Sequence, residues 1–135
     1  MPTLQAFNLP LDAFYIGRTT ITGQDYASIV EVIRDRIDFP ELCQMRITLP
    51  CGDHGNIEVI FWLDGGYRSG EPFDMNHQAM AMIDALSAPH EKLRTAIYGN
   101  CMVTGYNPDT RELEDLPPYA LGELYGMVTG YRVRI

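Results

Sequence analysis

The sequence predicts an α+β domain: an antiparallel sheet with two main helices on one face. Three observations predict it. Two segments repeat apolar residues at helical spacing, one after Thr22 and one after Asp74. Between and around them lie short runs rich in β-branched and aromatic residues, the composition of strands. The pentapeptide Met-Val-Thr-Gly-Tyr also occurs twice, at Met102–Tyr106 and Met127–Tyr131, each preceded by a Tyr-Gly pair. A β-branched pair ending in glycine reads as a strand running into a turn or bulge.

The elements follow in order. Residues 12–21 read as the first strand. Thr22 and Asp25 have the spacing of a capping box, and Tyr26, Ile29, Val30, Ile33 and Ile37 then mark one helix face. Glu31, Arg34, Asp35 and Asp38 fall largely opposite, as on a helix lying over a core. Phe39-Pro40 closes that helix. Met45–Leu49 and Asn56–Leu63 are the next strands, joined by the Pro50–Gly55 turn. Ile57, Val59, Phe61 and Leu63 alternate with Glu58, Ile60 and Trp62, so both faces are apolar and this strand is central. A second helix starts near Asp74 and buries Ala79, Met82, Ile83 and Leu86. Ser87-Ala88-Pro89 breaks it, and Pro89 opens a short further helix.

Thr95–Tyr106 returns as a strand, Asn107–Thr110 turns, and Arg111–Leu116 pairs back as a hairpin. Gly122–Ile135 reads as a long last strand, with Val133 and Ile135 alternating with Arg132 and Arg134. The first six elements match the βαββαβ order of a ferredoxin-like sandwich, with a C-terminal hairpin added. The two pentapeptide copies would then lie on neighbouring strands. One domain spanning 1–135 suits the length, which can bury a core without a metal or disulfide staple.

Composition narrows the function classes. The formal charge is −8, from 18 acidic against 10 basic side chains. That sign disfavours nucleic acid and anionic membrane surfaces, which need clustered cations. It suits a protein partner with a basic surface. Lys92 is the single lysine. The three cysteines, Cys43, Cys51 and Cys101, are an odd number behind no secretory signal, so reduced thiols in a cytoplasmic protein are expected.

Chemistry-bearing residues form three groups. Cys51-Gly52-Asp53-His54 puts a thiol, a carboxylate and an imidazole on one turn, so Cys51 and His54 are the catalytic candidates. In that case Arg46 or Arg68 would hold an anionic substrate. A polar turn collects the same residue types for turn geometry alone. Neither Cys51 and His54 nor His77 and His90 has a partner at zinc-site spacing, so no metal is expected. The second group is acidic: Asp109, Glu112, Glu114, Asp115 and Glu123. The third is tyrosine-rich, including Tyr67, Tyr98, Tyr106, Tyr119, Tyr125 and Tyr131, and tyrosine gives large contact area with a hydrogen-bonding tip. No phosphate loop, dinucleotide fingerprint or nucleophile elbow is present, so no cofactor is expected.

Ile57-Glu58-Val59, then Gly66-Tyr67-Arg68-Ser69-Gly70, then the apolar helix to Ala85-Leu86 resemble plasmid-borne antirestriction proteins over about a quarter of the chain. The loop lengths differ, and the C-terminal third has no counterpart there. The resemblance implies a small acidic accessory protein of a mobile element, acting by inhibitory binding.

Two functional expectations follow. In the first, the chain is a non-enzymatic binding or inhibitor protein that engages a basic partner. It would do so through Tyr67, Arg68, Tyr106, Glu112, Glu114, Asp115, Tyr119, Glu123 and Tyr125. In the second, it is a small enzyme or ligand binder centred on Cys51 and His54. Homodimerisation through the strand Gly122–Ile135 is compatible with either.

Overall fold

The computed structural model describes residues 3–9, 17–22, 26–37, 42–64, 76–87, 97 and 100–133. The fold is α+β, built on an antiparallel sheet. Its strands are β1 (Thr3–Leu9), β2 (Gly17–Thr22), β3 (Leu42–Pro50), β4 (Asn56–Asp64), β5 (Cys101–Asn107) and β6 (Glu112–Glu114). Its helices are α1 (Tyr26–Ile37), α2 (His77–Leu86) and α3 (Pro118–Val133). The strand order is β2-β1-β5-β4-β3, with β6 also paired to β5.

Strand alternation divides the core in two. Phe7, Ile47, Leu49, Val59, Phe61, Leu63 and Val103 point to one face, where Ala79, Met82 and Ile83 of α2 and Ala120 and Leu124 of α3 cover them. Leu4, Ala6, Ile60, Trp62 and Met102 point to the other, under Ile29 and Ile33 of α1. Each such large side chain, once buried, contributes about 1.5–3 kcal/mol. β4 carries fully buried residues on both faces, as its sequence predicts for a central strand.

Two helices do share one face, but they are α2 and α3, and α1 lies on the opposite side. The order also departs from the ferredoxin-like sandwich. There the first strand of the βαββαβ unit lies between the third and the last. Here β5 pairs directly with β4, and the added N-terminal strand β1 separates β5 from β2. The reading of residues 12–21 as the first strand misses β1 and captures β2, with residues 12–16 outside the described set.

α1 buries Ile29 and Ile33 and exposes Glu31, Arg34 and Asp35, as its periodicity requires. Thr22 ends β2, and Asp25 lies outside the described residues. Asp74, Phe39, Pro40 and Pro89 lie outside them too. The N-cap of α2 is Asn76, whose Oδ1 accepts from the Ala79 N–H at 3.0 Å. Ser87 closes the helix by donating Oγ–H to the Ile83 carbonyl at 2.6 Å.

The C-terminal segment is the largest correction. The alternation over Gly122–Ile135 predicts a strand, yet Pro118–Val133 is helical. Pro118 supplies the pre-set φ of a first helical turn, and the Pro117 carbonyl accepts from Ala120 N at 2.9 Å and Leu121 N at 3.1 Å. Ala120 and Leu124, four residues apart, are buried, with Met127 packed against the same core. A helix therefore fits the apolar positions where an alternating strand does not. The two copies of Met-Val-Thr-Gly-Tyr accordingly lie one in β5 and one in α3, not on neighbouring strands.

β1 and β6 lie end to end along the same flank of β5: β1 pairs through Phe7↔Val103 to Leu9↔Cys101, and β6 through Gly105↔Glu114 to Asn107↔Glu112. Their junction is stitched by Leu116 N to Gln5 O at 3.0 Å and by Gln5 N to Asp115 Oδ1 at 2.8 Å. Gly105 permits this closeness. A Cβ there would stand 2.9 Å from the Glu114 carbonyl oxygen and 3.0 Å from that of Asp115.

Candidate functional site

The β3–β4 turn is built by the backbone. Cys51 N donates to Gly55 O at 2.9 Å, His54 N to Cys51 O at 3.1 Å and Gly55 N to Gly52 O at 3.0 Å. Gly52 and Gly55 supply φ values of 58° and 81°, which L-residues avoid. This turn carries one candidate inward and one outward. The Cys51 side chain is buried, and its Sγ–H points to the Leu49 carbonyl at 3.7 Å. His54 is exposed and stacks on Tyr119, ring centroids 4.0 Å apart and planes 6° from parallel.

The structure thus gathers four residues that the sequence left in three separate groups: Cys51, His54, Tyr119 and Glu123. Tyr119 and Glu123 are one helical turn apart in α3. The surroundings oppose thiolate chemistry. Burial pushes the Cys51 thiol up, and the Glu123 carboxylate pushes it further the same way. A thiol held neutral, pointed at a backbone carbonyl, is a poor nucleophile. Cys101 is more deeply sealed, its thiol pushed up to about 12 by burial against the opposing pull of a Met102 backbone hydrogen bond. Cys43 is the exposed thiol.

The acidic group sits on the β5–β6 hairpin and the start of α3. Asp109, Glu112, Glu114, Asp115 and Glu123 are all exposed. Asn107 organises the hairpin: its Oδ1 accepts from Asp109 N at 2.9 Å and Thr110 N at 3.3 Å, and its Nδ2 donates to Glu114 Oε1 at 2.8 Å. Asp115 is occupied by the Gln5 N–H. Among the described residues no cationic side chain pairs with Asp109, Glu112 or Glu123, whereas Arg46 and Glu58 pair at 3.5 Å. Tyr125, 55% exposed, stands on α3 two residues after Glu123.

Tyr106 is not part of that group. It packs on the α1 side of the sheet, beneath the Arg46 guanidinium at 5.1 Å from the ring centroid. There Arg46, Tyr106, Glu58 and Thr48, whose Oγ1 donates to Glu58 at 2.9 Å, make a polar cluster on the open part of β3 and β4. Sequence reasoning singles out only Arg46 and Tyr106 of it. The alternation of Gln44, Arg46 and Thr48 with Met45, Ile47 and Leu49 is the signal that could have found the rest. Tyr67, Arg68, Tyr98 and His90 lie outside the described residues, and so does any role for Arg68 in holding an anion. Among the described residues no three His, Cys, Asp or Glu side chains converge as a metal site, and no helix is long and apolar enough to cross a membrane.

Compared with known proteins, the chain matches no family model, no curated relative and no solved structure. The similarity of residues 57–86 to antirestriction proteins therefore rests on those residues alone.

Proposed function

We propose that this chain is a small non-catalytic binding protein that inhibits or sequesters a partner with a basic surface. The observation that carries this reading is the acidic surface on the β5–β6 hairpin and α3. Asp109, Glu112 and Glu123 stand exposed without a described cation, and Tyr125 of α3 is exposed as well. Charges left free of internal partners are available for steering and for an interface, and an exposed tyrosine adds contact area. The neutral Cys51 thiol takes weight from an enzyme centred on Cys51 and His54. Three free cysteines, two of them buried, suit a reducing, cytoplasmic setting. The similarity to antirestriction proteins supports a mobile-element accessory role.

The test is affinity capture from the native host lysate with two baits, the natural chain and a triple variant carrying Asp109→Asn, Glu112→Gln and Glu123→Gln. A stoichiometric basic protein should be held by the first bait, released by high salt, and lost from the second. Equal retention by both baits would remove the acidic surface from the mechanism.

A further inference from the structure

We propose that β3 is a self-pairing edge: a second copy of this chain lays its own β3 antiparallel along it, with Ile47 opposite Ile47, to make one sheet through both copies. The inference goes beyond the partner-binding reading and uses the other end of the sheet.

β3 is terminal in the strand order, and its pairing with β4 runs unbroken over nine residues, from Leu42↔Asp64 to Pro50↔Asn56. Its outer row of N–H and C=O groups has no partner strand among the described residues. Cys43 and Gln44, on opposite faces, are both exposed, as are Arg46 and Thr48. Edge strands that must stay single are normally shortened, bulged, or armed with lysine or an internal proline. β3 is neither short nor bulged; its one charged residue is Arg46, and its one proline, Pro50, stands at its last position.

Three features name the occupant as a second copy. Two-fold antiparallel pairing demands that opposed residues share a face, which leaves few registers. Centring on Arg46 would oppose two guanidinium groups, and like charges directly opposite repel. Centring on Met45 would set Arg46 against Gln44 and leave Glu58 with no new cation. Centring on Ile47 sets Met45 against Leu49 on the apolar face and Arg46 against Thr48 on the polar face. In that register each Arg46 approaches the Thr48–Glu58 pair of the other copy. Glu58 holds its own Arg46 through a single 3.5 Å contact, so it retains acceptor capacity for a second. Finally, Arg46 is the only charged residue of β3 in a chain of net charge −8. β3 therefore brings no negative charge of its own to a seam between two copies.

The experiment uses the full chain. Sedimentation velocity across a concentration series up to roughly 0.5 mM should show a reversible dimer. Thr48→Arg, which opposes two cations in the proposed register, should weaken it about tenfold or more, while Glu31→Gln on α1, with the same change in net charge, should leave it unaltered. Register is read by mild oxidation in a Cys43→Ser background. Arg46→Cys and Thr48→Cys, both at exposed positions, are prepared separately and mixed, and the mixture should form a disulfide-linked dimer about tenfold faster than either alone. A chain that stays monomeric throughout overturns the proposal. Equal cross-linking of the mixture and the separate variants overturns it as well.

Discussion

Gly105→Ala should destabilise the protein, and the same substitution at Gly126 should stabilise it. The new methyl at 105 would stand 2.9 Å from one backbone carbonyl oxygen and 3.0 Å from the next. Neither oxygen belongs to a flexible side-chain end, so β6 must withdraw. Withdrawal strains Gly105↔Glu114 pairing and the two hydrogen bonds that join Gln5 to Asp115 and Leu116. Overpacking of this kind costs about 1–3 kcal/mol. Gly126 lies within α3, and a methyl added there would meet nothing within 4 Å. Alanine at 126 therefore gains about 0.4–1 kcal/mol from helix propensity and a restricted unfolded chain. Urea unfolding followed by the fluorescence of Trp62, the single tryptophan, measures both. The midpoints should move in opposite directions. A neutral Gly105→Ala would refute the close approach at β6, and a destabilising Gly126→Ala would refute the helical assignment of α3.

Thr104→Val should cost about 1–3 kcal/mol, because it strands the buried Trp62 Nε1–H that now donates to Thr104 Oγ1 at 2.8 Å; the check is the unfolding midpoint together with the native emission maximum. Asp115→Ala should loosen β1 at a cost of about 1–2 kcal/mol, visible as faster amide exchange at Gln5. Native-state labelling with a thiol reagent should modify Cys43 quickly and Cys51 and Cys101 only after unfolding, and His54→Ala should leave the rate at Cys51 unchanged. Because the folded Cys101 value lies above the ordinary 9.0, its contribution to stability is complete below that value and is lost between it and about 12 as pH rises; denaturation midpoints measured across that window should fall, and less steeply in Cys101→Ala.

The parts of the fold legible in the sequence are those whose local pattern has a single reading. α1 and α2 are legible because Ile29 and Ile33, and Ala79, Met82 and Ile83, recur at helical spacing. β4 is legible because its apolar residues fill both faces. α3 is not, because Gly122, Gly126, Val128, Thr129 and Gly130 are weak helix formers and the segment repeats a peptide that is a strand elsewhere. Met-Val-Thr-Gly-Tyr forms β5 where neighbours on both sides offer pairing, and forms part of α3 where Pro118, Ala120 and Leu124 have already set a helix on the core. Local propensity yields to tertiary context in both cases. At the candidate site the turn Cys51–His54 is visible as a turn. Its contact with Tyr119 and Glu123 joins residues far apart in sequence and depends on α3 being a helix.

The seam between β1 and β6 bears on how the chain reaches this structure. β1 precedes the other strands in the chain but sits inside the sheet, between β2 and β5. Its neighbour along β5 is supplied 110 residues later, through the bond from Gln5 to Asp115 and the one from Leu116 beside it. The sheet cannot be completed before β5 and β6 have been made. Until β5 and β6 are released, β1 and β2 form at best a lone ribbon with an open edge, and β3 and β4 another. Joining them requires closing loops of up to 110 residues, which makes that step slow relative to helix formation.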